Sequence, residues 1–140
     1  MFQEDPNKTA EIPVPLTYSF RFDHELNLVI VDASGTVTLA DEIKLLQEIV
    51  ASPGYRVGMN SLCDMTHTVI EWNLAEIDEF REYLKLSGKR LGARKWALLS
   101  ADGVTPSTVK LFMILMGIQP SALTVRLFTS KGDAMRWLSE

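Results

Sequence analysis

Residues 17–31 read TYSFRFDHELNLVIV and carry two β-strand patterns in succession. In residues 17–23 apolar and polar side chains alternate, which is typical of a strand with one buried face. After a short connection, residues 26–31 are apolar on both faces, as in a strand that lies inside a sheet. We therefore predict that the fold starts with a β-hairpin.

Two helices are predicted downstream of the hairpin, each from a capping box followed by an apolar stripe. The first begins at Thr38 with Asp41 three residues later, and the second begins at Asn73 with Glu76 at the same spacing. The side chains predicted to face inward are Leu39, Ile43, Leu46 and Val50 in the first helix and Leu74, Ile77, Phe80 and Leu84 in the second.

Short apolar strands separate the helices along the rest of the chain. We expect Ser34 and Gly35 to end the strand before the first helix, since this pair interrupts its apolar pattern. A final short helix is predicted after Ser130, with Ala134, Trp137 and Leu138 facing inward. The remaining predicted elements are strands at 56–63, 95–100 and 124–129 and a third helix at 106–117.

The resulting element order is ββαβαβαβα, which predicts a single α/β domain over residues 16–140. Strands that alternate with helices are expected to be parallel and to join one sheet, here of about five strands. Residues 1–15 contain three prolines among acidic residues and are predicted to form a flexible N-terminal lead. The fold class is therefore a layered α/β sheet with an N-terminal hairpin.

Three short motifs accompany this element order: Gly35-Thr36-Val37-Thr38 before the first helix, Leu62-Cys63-Asp64 at a strand end, and a terminal A-x-x-W-L from Ala134 to Leu138. With them, residues 17–139 resemble the STAS superfamily (sulfate transporter and anti-sigma factor antagonist) and the bacterial SpoIIAA-like proteins. The resemblance implies a SpoIIAA-like fold and a non-enzymatic module that binds a partner or an apolar ligand.

The same resemblance raises the question of a phosphorylation switch. Anti-sigma antagonists carry a phosphorylatable serine in a D-S-S-G loop, and this chain has Asp64-Met65-Thr66-His67 at the matching position. The glycine is absent and the two serines are replaced by methionine and threonine. Thr66 is therefore the phosphoacceptor candidate, by its position alone.

Composition excludes several classes of function. The chain has 140 residues, a net charge of −4 and a pI near 5.2, which disfavours nucleic acid as a partner. One cysteine permits no internal disulfide and suits a reducing compartment. No signal peptide and no apolar run of membrane-spanning length is visible. We predict a cytoplasmic protein without a transmembrane segment.

The segment from Leu62 to Thr68 concentrates the reactive side chains, and we predict it to be a loop at the carboxyl end of a strand. It holds the single cysteine and one of the two histidines. A structural zinc site needs a second group of ligands, and a catalytic cysteine needs a base with an orienting group. Neither is visible, so we predict no metal, no cofactor and no catalytic residue. Asp64, Thr66, His67 and Thr68 remain as candidate binding residues.

Carboxylate pairs and the third helix complete the candidates. Asp41 with Glu42 and Asp78 with Glu79 are assigned to solvated helix surfaces. The third helix is apolar nearly all round between residues 109 and 118, which a helix with one solvated face would not be. Core, homodimer interface and wall of an apolar pocket remain open for it. Its candidate contact residues are Leu111, Phe112 and Leu115.

The sequence thus predicts a non-catalytic module that binds a protein partner, including a second copy of itself, or an apolar small molecule. The first alternative is a regulatory phosphoacceptor module that uses Thr66. The second is a small enzyme that uses the segment from Asp64 to His67, with His67 as acid or base.

Overall fold

The structure is a computed structural model that describes residues 14–92, 94–100 and 123–140. The strands are β1 (Thr17–Asp23), β2 (Leu28–Thr36), β3 (Asn60–Val69), β4 (Arg94–Leu99) and β5 (Leu123–Phe128). The helices described are α1 (Leu39–Ala51), α2 (Leu74–Leu86), the short α3 (Gly88–Leu91) and α4 (Lys131–Leu138). The helix predicted at 106–117 and residues 1–13 of the predicted lead lie outside the described residues.

One sheet holds the five strands in the order β1-β2-β3-β4-β5. β1 pairs with β2 in antiparallel fashion, and every later pair is parallel. The predicted hairpin and the predicted parallel strands are therefore confirmed. The hairpin turn ends at Asn27, whose φ of 53° lies in the left-handed region that asparagine tolerates better than most residues.

The core lies on both faces of this sheet. On one face, α1 and α2 pack through Leu46, Ile77 and Phe80 against Trp96 of β4. On the other face, α4 packs through Ala134, Trp137 and Leu138, as predicted. Among the described helices, none is long and apolar enough to cross a membrane.

The helix starts follow the predicted caps. Thr38 and Asp41 form a complete capping box at α1, and Asn73 and Glu76 form one at α2. The prediction of inward-facing residues in α2 is confirmed at Ile77, Phe80 and Leu84. It is wrong at Leu74, which is 56% exposed. At 100° per residue, Leu74 lies well to one side of the direction shared by the other three.

The ends of β2 and β3 differ from the prediction. Ser34 and Gly35 do not end β2, because the strand continues through Thr36 after a register shift that follows Asp32. Gly35 adopts a φ of +101°, which glycine permits within an irregular strand. β3 starts at Asn60, and its carboxyl half pairs with this extension of β2. The segment predicted as a loop after Cys63 is therefore strand.

Candidate functional site

A cavity of about 90 Å³ lies between α1 and the sheet face that α1 covers. Its walls are mainly apolar and come from several elements of the fold. β2 contributes Val31 and Ala33, β3 contributes Cys63 and Met65, and α1 contributes Leu46. The space is formed by side chains that are distant in sequence.

Strand geometry explains which residues of β2 and β3 reach the cavity. Successive side chains of a strand point to opposite faces, so residues two apart share a face. Val31 and Ala33 are such a pair, and so are Cys63 and Met65. Val31 pairs directly with Cys63 in the parallel register, which brings the two walls side by side.

Glu42 of α1 also lines the cavity, in contrast to the solvated surface predicted for it. It follows buried Leu39 by three residues and precedes buried Leu45 and Leu46 by three and four. Residues at these spacings share one helix face. The position of Glu42 within the apolar stripe of α1 is the sequence feature by which it can be recognised.

The carboxyl group of Glu42 is placed where charge is unfavourable. Burial raises the pKa of Glu42 from 4.5 to about 7, and the neighbouring Asp41 carboxylate adds to this increase. Among the residues that the structure describes, the Glu42 side chain has no hydrogen-bond or ion-pair partner. At physiological pH a carboxyl group with this pKa is present in both its protonated and its ionised form.

Cys63 faces the same cavity as a protonated thiol. Burial raises its pKa far above the ordinary value, and the carboxylates of Glu42, Asp64 and Asp32 raise it further. Because the thiolate is the reactive form of cysteine, a thiol in this environment is a poor nucleophile and a poor metal ligand. Its side chain acts here as part of an apolar wall.

The reactive side chains predicted to act together are separated by β3. Asp64 lies on the strand face opposite Cys63, where Lys131 of α4 helps to lower its pKa. The hydroxyl and backbone N–H of Thr66 donate hydrogen bonds to Asp64 and are the largest favourable cause of that lowered pKa. Thr66 and His67 are exposed to solvent. The candidate residues therefore do not form one cluster.

Thr68 is the predicted site residue that lines the cavity. Its Oγ1 donates to the carbonyl of Met65 at 2.8 Å. Within residues 14–92, 94–100 and 123–140, no group of three His, Cys, Asp or Glu side chains is arranged to hold a metal ion. The phosphoacceptor role of Thr66 and the enzymatic role of His67 stay predictions. Leu111, Phe112 and Leu115 lie outside the described residues.

Comparison with solved structures identifies the fold. An uncharacterised protein of the DUF3478 family with a SpoIIAA-like fold, from Shewanella loihica PV-4, matches 91% of this chain and 96% of its own chain. The TM-score is 0.55 and the sequence identity is 16%, so the likeness concerns the fold alone. This chain is an α/β protein with a SpoIIAA-like fold, as predicted. A scan against models of protein families and a search of curated proteins both find no match.

Proposed function

We propose that this protein is a non-catalytic module that binds an apolar small molecule in the cavity beneath α1. The cavity itself is the main support for this proposal, because close-packed protein interiors rarely leave space larger than a water molecule. Its lining is apolar, and apolar walls favour an organic occupant over water, which needs several polar partners. Among the described residues, neither the Glu42 carboxyl nor the Cys63 thiol has a hydrogen-bonded acid or base beside it, which supports a binding role.

The volume limits the occupant to a small group. An engineered cavity of ~150 Å³ in another protein binds benzene. The 90 Å³ available here therefore accommodates a short alkyl chain or a small ring rather than a long acyl chain. A longer molecule would have to extend out of this space.

Binding of a neutral probe tests this function. We expect 1-pentanol to raise the melting temperature of the protein, by the equivalent of ~1.4 kcal/mol at ten times its dissociation constant. In ¹H–¹⁵N spectra, the largest shift changes are expected at the amides of Val31, Cys63 and Leu46, which line the cavity.

A variant that fills the cavity supplies the control. Ala33→Leu adds three carbon atoms to the β2 wall and is expected to abolish binding while leaving the protein folded. Ala75→Leu, at an exposed position of α2, adds the same atoms outside the cavity and should bind 1-pentanol like the unmodified protein. Equal binding by Ala33→Leu and the unmodified protein would show that the cavity is not the binding site.

A further inference from the structure

One charged group reaches the proposed binding cavity in the described part of the chain. The other described lining residues are apolar or carry a thiol, a hydroxyl, or the indole N–H of a tryptophan. Among the described lining residues, Glu42 is thus the one whose side chain can hold a full charge at neutral pH. A ligand that enters the apolar space meets this carboxyl group, and the polar end of the ligand must be compatible with it.

Glu42 also has unused hydrogen-bonding capacity. The capping box at the start of α1 uses the neighbouring Asp41, whose carboxylate accepts from the Thr38 N–H. Tyr18 donates instead to the carboxylate of Glu48, which lies six residues after Glu42 in α1. An ionised carboxylate in a poorly solvated position gains most from a donor that also carries a positive charge.

The charges that act on Glu42 and Cys63 are carboxylates in the described residues. A cation, the Arg94 guanidinium, lies 5.0 Å from the centroid of the Trp96 ring, which lines the cavity at β4. Asp41 raises the pKa of Glu42, and the carboxylates of Asp32 and Asp64 raise that of the adjacent Cys63. In the described residues, no cation contributes to the raised pKa of Glu42 or of Cys63. Next to Glu42 the described charges are therefore negative, which opposes an anionic group at this place and favours a cationic one.

We propose that the cavity selects a small apolar amine in its protonated form, with the Glu42 carboxylate accepting hydrogen bonds from the ammonium group. This inference rests on the proposed function and adds the chemical class of the ligand. The short apolar tail occupies the space between β2, β3 and α1, and the ammonium group forms an ion pair with Glu42. Carboxylic acids with the same tail are repelled by the carboxylates of Glu42 and Asp41.

Three probes of equal chain length test the selection: pentylammonium, 1-pentanol and pentanoate. By calorimetric titration at pH 8, we expect pentylammonium to bind about tenfold more tightly than 1-pentanol, and pentanoate to bind more weakly than both. Glu42→Gln should remove the preference, so that pentylammonium loses about tenfold in affinity and binds no more tightly than 1-pentanol does. Glu79→Gln, at an exposed position of α2, should behave like the unmodified protein.

The pH dependence of binding gives a second readout that needs no variant. Alkylammonium ions stay protonated at pH 8, as lysine does. In the described part of the chain, the titratable groups near Glu42 are Asp41 on α1 and the Cys63 thiol on β3. Asp32 and Asp64 act on that thiol, and His67 acts on Asp64. Pentylammonium should bind several-fold more weakly at pH 5.5 than at pH 8, and 1-pentanol equally at both. His67 is unchanged in Glu42→Gln. We expect pentylammonium binding to depend less on pH in this variant than in the unmodified protein, which would assign the pH effect to Glu42.

The outcomes separate this inference from the proposed function. If 1-pentanol binds in the cavity but pentylammonium binds no more tightly, the amine inference is wrong and the apolar site stands. The same conclusion follows if pentanoate binds best or if pentylammonium binding does not change between pH 5.5 and 8. If none of the three probes binds, both the inference and the proposed function are overturned.

Discussion

Glu42 occupies a half-buried position on the apolar face of α1, although its side chain is charged in water. Leu39, Leu45 and Leu46 surround it on the buried face of α1. A neighbouring carboxylate, Asp41, adds repulsion to the cost of burial. A residue that destabilises its own fold in this manner is typical of functional sites, where environment is arranged for binding rather than for stability.

The pH dependence of stability is the first prediction at this scale. The pKa of Glu42 is higher in the folded chain, about 7, than the ordinary 4.5, so the folded state binds this proton more tightly than the unfolded state. The stabilising contribution of the protonated group is complete below pH 4.5 and is lost as pH rises through 7. Relative to Glu42→Gln, the unmodified protein should lose up to about 3 kcal/mol of unfolding free energy between pH 4 and pH 8.

Urea unfolding of both proteins at several pH values measures this difference. Glu79→Gln is the matched control, since Glu79 is exposed on α2, and its unfolding free energy should follow that of the unmodified protein at each pH. Parallel curves for Glu42→Gln and the unmodified protein would contradict the burial of Glu42.

At the scale of elements, the extension of β2 past Asp32 shapes the carboxyl ends of the first two parallel strands. Gly35 allows this extension, because the strand there passes close to residues 14 and 15. The Thr36 N–H donates to the Val14 carbonyl at 2.8 Å, and Pro15 pairs with Thr36. A Cβ on Gly35 would lie 2.4 Å from the Pro15 carbonyl oxygen, closer than real Cβ contacts allow.

Substitution of Gly35 tests the extension. Gly35→Ala should destabilise the protein by about 2 kcal/mol, from the strained φ and from the clash with backbone. The control is Gly132→Ala in α4, where a new Cβ would meet only the Ser130 hydroxyl at 3.6 Å. That change should be neutral or stabilise by roughly 0.5 kcal/mol, because alanine favours helix. Equal unfolding free energies for the two variants would refute this account of Gly35.

For the molecule as a whole, the described part of the sheet has one face beneath α1 and α2 and the other beneath α4. α4 is tied to β4 by Lys95, whose Nζ donates to the carbonyls of Trp137 and Glu140 at 3.1 and 2.9 Å. The Lys95 ammonium and the Arg126 guanidinium also lie 5.4 and 5.5 Å from the Trp137 ring. Such cation–π contacts add to the burial of the ring.

Removal of the Trp137 ring tests how far the fold depends on this cover. Trp137 is 8% exposed and packs with Leu28, Leu62 and Ala97 on the sheet. Trp137→Ala should lower the unfolding free energy by about 3 kcal/mol or more, because it leaves a large cavity under a short helix. Trp137→Phe keeps an aromatic ring and should cost clearly less. Circular dichroism during urea unfolding measures both, and a loss below 1 kcal/mol in Trp137→Ala would argue against a central role for α4.

The hairpin, both capping boxes and the inward face of α4 were predictable from the sequence. These features depend on residues within a few positions of one another, such as Thr38 with Asp41 or Ala134 with Trp137, so local periodicity and hydrogen bonding determine them. The prediction failed at Ser34 and Gly35, because continuation of a strand depends on pairing with a partner strand about thirty residues away in the sequence.

The cavity and the environment of Glu42 were decided by the tertiary structure. Neither α1 nor β3 alone contains a cavity. The cavity forms where α1 packs across the sheet and the side chains of helix and strands leave space between them. The sequence predicted a helix at Glu42 but assigned its side chain to the solvated surface, because the pKa of the carboxyl group depends on the loss of water around it. That loss is a property of the assembled layers, because desolvation arises when distant segments of chain exclude solvent together.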